Sequence, residues 1–431
     1  MFNVDTQKKS KTELRQYELP FYLLLILLFF EYVRPQSYLP TLSMIRPALF
    51  VYVLLFISLL FRGKALRIQN TQTKYYFGLV LLMTIHIPIA VNNYWAFEIW
   101  KTTCLYFILY LGIVNFVDSL EKLKKLINFG IISIVFCAVI GISKGGRIPY
   151  SYASFLGDEN DFALVMNMFI PFAYFMFLET TSKWKKALYL GAISSFVAAN
   201  IISLSRGGFV GLVAAALYCW LRSPKKILTS IILVLGICIL SFTAPSQYWE
   251  EVRTIKEENI REGTGSVRWY AWKCGWKMFL DNPIIGVGQG NFPWNFEKYE
   301  PPEGFGGRLH GGMVAHSIYF TLIPELGIIG TFLFFGILWR SYKDISDKIR
   351  QIQRRTETMQ QKNNTLCYYI LAIQGALFAY LVSGVFLSTL YYPHFWLMIA
   401  FIVSAANTTI SIDQNLHHNS NKQFPSIQLI N

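Results

Sequence analysis

The sequence predicts an all-α, polytopic integral membrane protein with about 12 transmembrane helices and one large exoplasmic loop that contains an amphipathic helix. Three observations support this fold class: the composition, the recurrence of long apolar runs and the placement of basic residues between them. Of the 431 residues, 54% are hydrophobic and only 15% are charged, whereas soluble domains carry roughly 25% charged residues. The mean hydropathy of +0.38 points the same way.

The apolar runs divide the chain into spans and connections. Each run is expected to form a helix, because about 20 apolar residues cross a bilayer and lipid offers no partner to an open backbone. The runs cover residues 20–33, 47–61, 75–91, 102–117, 126–142, 162–178, 187–204, 207–221, 227–243, 316–338, 366–385 and 387–405. The expected organisation is transmembrane helices one to nine in 1–242, a large loop in 243–315, helices ten to twelve in 316–407 and a polar, disordered tail in 408–431.

The basic residues predict the orientation. They cluster in the segments that face the cytoplasm if the N-terminus is cytoplasmic, as in the run Lys183, Lys185 and Lys186, and they are sparse in the short segments on the other side. This is the positive-inside bias of membrane proteins. It puts both termini in the cytoplasm and the large loop on the exoplasmic face. It also explains the net charge of +14 without a nucleic-acid partner.

Targeting and metal signals are weak in this sequence. No small-residue cleavage site follows the first apolar run, so no cleavable signal peptide is expected. The six cysteines lie mostly inside apolar runs, and their spacing fits neither a metal site nor a disulfide framework. The cysteines therefore predict no metal site.

The middle of the large loop has the pattern of an amphipathic helix. Trp269, Trp272, Trp276 and Phe279 recur at a helical spacing and share one face. Tryptophans on one face suit a helix lying in the headgroup layer of the membrane. Packing of this helix against its own membrane domain explains the pattern equally well, and the two interpretations are compatible.

Two arginines are candidates for binding an anion. Arg206 lies between two apolar runs in the stretch LSRGG, where a guanidinium needs an anionic partner. It could pair with lipid phosphate as a membrane anchor, or bind a phosphorylated substrate through the bidentate geometry that guanidinium offers. Arg268, in the large loop, is a second candidate, and a solvated loop arginine is the alternative.

His316 is the candidate general base. It stands where the loop meets an apolar run, and the pKa of an unperturbed imidazole lies close to neutral pH, so it can accept a proton from an attacking hydroxyl. A structural histidine is the alternative. His310 and His394 compete for the same role, while His86, inside an apolar run, is expected to be structural.

Two acids are possible supporting residues. Glu325 follows His316 by nine residues and lies about 13 Å deeper if the segment is helical. It could pair with Arg206, line a substrate groove or form a structural ion pair. Asp161 belongs to the acidic stretch GDENDF at a predicted helix start, where acids suit the helix dipole.

These motifs, taken in order, resemble the O-antigen ligase and O-antigen polymerase superfamily of bacterial membrane glycosyltransferases. The resemblance lies in LSRGG, GSVRW, DNPIIGVGQGNF and the pattern H-S-x9-G-x-x-G, and it extends to GDENDFALVMNMFIPFA. The last of the four patterns falls on His316, Ser317, Gly327 and Gly330. The motifs span Gly157 to Gly330, while the helix plan covers the whole chain.

The resemblance implies a metal-independent glycosyl transfer on the periplasmic face of the bacterial inner membrane. The donor would be a glycan on undecaprenyl diphosphate, and the acceptor a hydroxyl of lipid A core or of another glycan. Arg206 and Arg268 would bind the diphosphate, and His316 would activate or orient the acceptor. Membrane lipids are the other expected partners, and no cofactor is implied.

The sequence leaves several functions open. A ligase is favoured by the H-S-x9-G-x-x-G pattern, but polymerases of O-antigen or exopolysaccharide and protein O-oligosaccharyltransferases share the motifs. From a different class, the chain could be a transporter of lipid-linked glycans. Against that interpretation, no inverted repeat is visible in the sequence.

Overall fold

The described part of the protein is helical. The computed structural model describes residues 18–37, 39–148, 156–257, 264–353 and 360–423. Within these ranges the only β pairing is an isolated bridge between Phe305 and Arg308. The sixteen α-helices of the described residues are α1 Glu18–Tyr32, α2 Pro40–Ile45, α3 Pro47–Leu60, α4 Thr71–Ile89, α5 Asn93–Phe116, α6 Leu120–Ser143, α7 Glu159–Glu179, α8 Lys183–Ile202, α9 Arg206–Arg222, α10 Lys226–Thr243, α11 Ser246–Glu257, α12 Thr264–Asp281, α13 Phe292–Tyr299, α14 Ile318–Gln353, α15 Gln360–Ser383 and α16 Pro393–Gln423.

A helix lies on each of the apolar runs in the sequence. Five helical segments of the described residues are long and apolar enough to cross a membrane: Asn93–Phe116, Leu120–Ser143, Glu159–Glu179, Ile318–Ile352 and Thr365–Phe386. Three shorter apolar segments are Pro47–Leu60, Lys226–Cys238 and Pro393–Thr408. The all-helical fold class of a membrane protein is therefore confirmed, while the count of about 12 spans stays a prediction.

Helix α7 forms the centre of the bundle. Its sequence is apolar on every face, and nearly all of its residues are buried, as expected for a helix enclosed by others. It packs against α8, α9 and α15. Glycines allow these close approaches: a Cβ on Gly208 of α9 would lie 2.6 Å from the Cβ of Ala163. Asp158 caps the helix by accepting hydrogen bonds from the backbone N–H groups of Asn160 and Asp161.

Helix α14 is interrupted at Gly327, whose φ of 61° and ψ of −163° are not helical. The interruption exposes backbone groups, and the loop 282–291 pairs with them. The N–H groups of Val287 and Gly288 donate to the carbonyls of Pro324 and Glu325, and the N–H of Ile328 donates to the carbonyl of Pro283. Irregular backbone is tolerated at membrane depth only where protein or water satisfies it, and this loop does so.

The Glu325 side chain binds the same loop. It is 1% exposed. One carboxylate oxygen accepts from the N–H of Phe292 at 2.9 Å, and the other accepts from the N–H of Gly290 at 2.7 Å and from the Tyr391 hydroxyl at 2.6 Å. Among the described residues, the hydrogen-bond donors to Glu325 therefore come from the loop, from the start of α13 and from the segment before α16. It does not contact Arg206, so that proposed pairing was wrong.

His86 and Gln289 hold the loop from the other side. The two imidazole nitrogens of His86 lie 2.9 Å from the side-chain oxygen of Gln289 and 2.8 Å from the carbonyl of Ile285. The Gln289 amide donates to the carbonyls of Met83 and Ala96. His86 therefore has the structural role that its position in an apolar run predicted.

The polar segment after residue 407 is not disordered throughout. Helix α16 continues from Pro393 to Gln423, so the expectation of disorder was wrong as far as residue 423. Extending an existing helix costs far less than nucleating a new one, which allows the helix to continue into a polar sequence. Residues 424–431 lie outside the described residues.

The contact between the loop and the broken helix leads to a prediction for Gly286. This residue has a φ of +80°, and a Cβ would lie 2.5 Å from the backbone of Glu325. We expect Gly286→Ala to lower the free energy of unfolding by about 3 kcal/mol or more, because backbone strain and a clash add. Thermal unfolding of the purified protein in detergent measures this loss.

Gly312→Ala is the matched control. Gly312 has a φ of +84° but nothing within 4 Å of an added Cβ, so it carries the backbone strain alone, about 1 kcal/mol. Equal losses in the two variants would show that the close approach of the loop to α14 does not matter for stability.

Candidate functional site

A cavity of about 630 Å³ lies where α7 and α9 begin and α8 ends. We call it the arginine cavity, because Arg206 and Arg268 both line it. Its wall comes from widely separated parts of the chain. The lining residues are Gly145, Glu159, Asn160, Ser203, Leu204, Ser205, Arg206, Gly207, Val210, Glu251, Gly265, Arg268, Trp269, Trp272 and Phe386.

Arg206 is the first residue of α9 and is placed by the cap of that helix. The Ser205 hydroxyl accepts from the N–H of Gly208 at 2.8 Å and donates to the side-chain oxygen of Asn160 at 2.6 Å. These bonds tie the start of α9 to the start of α7. The Nε of Arg206 donates to Oε2 of Glu251, on α11, at 2.9 Å. Both partners line the cavity, so Arg206 has an ion-pair partner within it.

Arg268 reaches the cavity from α12. Its guanidinium carbon lies 5.8 Å from the centre of the Phe386 ring, which is a cation–π contact. Trp272, one turn further along α12, stacks on Phe320 with ring centres 4.7 Å apart, and its indole N–H donates to the carbonyl of Ala315 at 2.8 Å. These two contacts join α12 to the start of α14.

His316 follows directly after that anchored carbonyl. It has a φ of 46°, in the left-handed region that few residues other than glycine adopt. His316 is exposed, and it lies two residues before α14. Partial desolvation and, second, the Arg268 guanidinium lower the pKa of His316, while the Asp158 carboxylate opposes them. His316 is therefore within electrostatic reach of Arg268, although it does not line the cavity itself.

The four aromatic residues that share one face of α12 lie in two different environments. Trp269 and Trp272 line the arginine cavity. Trp276 and Phe279 line an apolar groove beside α14 and α4. The face of α12 that is buried carries Tyr270, Ala271, Cys274 and Met278. Packing against the protein and exposure of part of this aromatic face thus occur together.

Of the other candidates, none lines the arginine cavity. Asp161, the neighbour of Asn160 in α7, accepts a hydrogen bond from the Tyr392 hydroxyl at 2.9 Å. His394 is fully buried, with Nδ1 3.0 Å from the Tyr32 hydroxyl. His310 lies in the large loop, where its backbone N–H donates to the Glu300 carboxylate at 2.7 Å. Glu325 binds the loop 282–291, as described above.

Sequence reasoning missed the acids of the cavity. Glu251 pairs with Arg206, and Glu159 pairs with Arg147, whose Nη1 lies 2.8 Å from Oε1 of the acid. Glu251 stands in a polar stretch with many charges, and nothing in its spacing marks it. Glu159 belongs to the acidic stretch GDENDF, but the helix dipole alone explains acids at that position, so the stretch did not indicate an ion pair in a cavity.

Metal ligands do not converge in the described part of the chain: no group of three or more His, Cys, Asp or Glu residues is placed to hold an ion. The side chains that meet in the arginine cavity are instead guanidinium, carboxylate, amide and indole groups. Guanidinium groups are suited to bind phosphate oxygens directly. The two guanidinium groups are therefore the part of the cavity that suits an anion.

Fold and site together define a helical membrane protein with a cavity lined by two arginines and two glutamates. Residues 190–335 match the family described as O-Antigen ligase, Wzy_C. This part of the chain is therefore similar to that family, which confirms the resemblance to the O-antigen ligase superfamily that the motifs indicated. Arg206, Arg268 and His316 all fall inside the matched stretch. No curated protein matches the chain.

The electrostatic contact between Arg268 and His316 leads to a prediction. We expect Arg268→Gln to raise the pKa of His316, because loss of a nearby cation removes a repulsion that disfavours the imidazolium form. Nuclear magnetic resonance titration of labelled histidine, with His316→Gln to assign the signal, measures the pKa. Arg206→Gln is the control and should shift it less, and an equal shift in both variants would contradict the placement of His316 beside Arg268.

The bonds of Glu325 lead to a second prediction. Glu325→Ala leaves two buried N–H groups and one hydroxyl without their charged acceptor, so the free energy of unfolding should fall by about 3 kcal/mol or more. Tyr391→Phe, which removes one of the three donors, should cost about 1 kcal/mol. Thermal unfolding in detergent measures both, with the exposed Glu297→Ala as control. If Glu325→Ala lost no more stability than the control, the hydrogen bonds of Glu325 would not stabilise the contact between the loop and α14.

Proposed function

We propose that this protein transfers a glycan from undecaprenyl diphosphate to an acceptor hydroxyl on the periplasmic face of the bacterial inner membrane. The observation that carries the proposal is the convergence of Arg206 and Arg268 on one cavity, with His316 in electrostatic reach of Arg268. Members of the matched family are glycosyltransferase-like enzymes that use lipid-linked glycans and acceptors. Both termini would then lie in the cytoplasm.

The two arginines are proposed to bind the diphosphate of the donor. Guanidinium groups form charge-assisted, bidentate hydrogen bonds with phosphate oxygens. They also stabilise the negative charge that develops on the diphosphate as it departs, which is the role that a metal ion has in other transferases. With this assignment, we propose a reaction that does not depend on a metal.

His316 is proposed to accept the proton of the acceptor hydroxyl. The lowered pKa of His316 favours the neutral imidazole, which is the form that can act as a base. The acceptor oxygen then forms a bond with the anomeric carbon of the donor sugar. The bond from that carbon to the diphosphate oxygen breaks, and undecaprenyl diphosphate leaves with the electron pair.

The experiment is reconstitution of the purified protein in vesicles with a lipid-linked glycan and candidate acceptors. We expect a new conjugate of glycan and lipid A core, as a ligase would make. Longer lipid-linked chains would instead identify a polymerase, and glycan attached to protein an O-oligosaccharyltransferase. Movement of the intact lipid-linked glycan without a new bond would identify a transporter and refute the proposal.

Substitution of the three residues tests their roles in that assay. We expect His316→Ala to lower the transfer rate by about 10²- to 10⁴-fold, as the loss of a general base does, and Arg206→Ala or Arg268→Ala by about 10²- to 10³-fold. His310→Ala and His394→Ala are the control variants, with folding verified by thermal unfolding. Normal transfer by His316→Ala together with a loss in either control would move the base to that residue.

A further inference from the structure

The ion pair between Arg206 and Glu251 lies inside the proposed diphosphate site. Both side chains line the arginine cavity, and the pair joins α9 to α11. A carboxylate and a phosphate offer a guanidinium the same kind of acceptor, namely oxygens that share a negative charge. Glu251 therefore accepts from Arg206 the same kind of charge-assisted hydrogen bond that a phosphate group of the donor would accept.

We propose that Glu251 competes with a phosphate group of the donor for Arg206, so that donor binding replaces the carboxylate at the guanidinium. The inference rests on the proposed function of Arg206. It assigns to Glu251 a role in setting the affinity of the site for diphosphates. Neither the sequence motifs nor the family match gives this residue a role.

The exposure of the pair makes the exchange feasible. The side chains of Arg206 and Glu251 are 30% and 42% exposed, and ion pairs in contact with water contribute little to stability. A diphosphate carries more negative charge than a carboxylate, and a second guanidinium, that of Arg268, lines the same cavity. It therefore has the advantage in competition for Arg206.

The same competition acts on the product. Undecaprenyl diphosphate leaves the reaction with the diphosphate that the donor brought, so a site that binds the donor too tightly also retains the product. Return of Glu251 to Arg206 favours release, and product release limits the turnover of many enzymes. Glu251 thereby weakens binding of both donor and product.

Glu251→Gln tests the competition, because glutamine keeps the shape of the side chain and removes the charge. The full-length protein in lipid nanodiscs is titrated with inorganic pyrophosphate. We expect the variant to bind it about two- to fivefold more tightly, the range that the weak free energy of an exposed ion pair allows. Inhibition of transfer by added pyrophosphate should strengthen by the same factor.

Two controls make the result specific. Glu250→Gln removes the same charge from the neighbouring, exposed position of α11 and should leave the affinity unchanged. In an Arg206→Gln background, Glu251→Gln should have no effect, because the group for which the two anions compete is gone. Glu251→Ala should repeat the increase, which guards against a folding defect particular to the glutamine variant.

Unchanged or weaker pyrophosphate binding in Glu251→Gln would overturn the inference and make Glu251 a residue that orients Arg206. An equal increase in Glu250→Gln, or an increase that persists without Arg206, would overturn it as well. Transfer by the wild-type protein is measured on the same preparation. If transfer occurs and Glu251→Gln binds normally, only this inference fails; if the wild type neither transfers nor binds pyrophosphate, the proposed function fails with it.

Discussion

The hydrogen bonds between Glu325 and the loop 282–291 are the constraint on which the site depends. Helix α14 breaks at Gly327, and the loop that follows α12 fills the break with its backbone. Because Glu325 accepts the N–H of Gly290 in the loop and that of Phe292 at the start of α13, the C-terminal end of α12 is fixed to α14. Arg268 lies near the other end of α12, and His316 lies just before α14. One buried carboxylate thus couples the two elements that carry them.

A second contact fixes the same two elements near the middle of α12 and the start of α14. Trp272 stacks on Phe320 and donates to the carbonyl of Ala315. Trp272 lies about 13 Å before the C-terminal end of α12, at 1.5 Å per residue. Two attachments restrict rotation of a helix as well as its translation. This arrangement supports a cavity of fixed shape even though part of its wall belongs to a long loop.

The charges of the arginine cavity are balanced rather than uniformly positive. Arg206 is paired with Glu251, and Glu159 at the wall is paired with Arg147. Isolated charges are costly next to a membrane, so such a site needs counter-ions from the protein itself. Partly exposed pairs satisfy this need and remain weak enough for a phosphorylated ligand to replace one member.

The sequence by itself determined the helical membrane fold, the places of the helices, and the identity of Arg206, Arg268 and His316 as candidates, since these follow from local hydropathy and from short motifs. Tertiary structure decided the partners. The sequence marks Glu325 as an acid within an apolar run, but its hydrogen-bond donors lie 33 to 66 positions away in the chain. No sequence pattern marks Glu251. Hydrophobic periodicity reports which face of a segment is buried. Which polar groups meet depends on how distant segments pack, and a single sequence does not encode that in any local pattern.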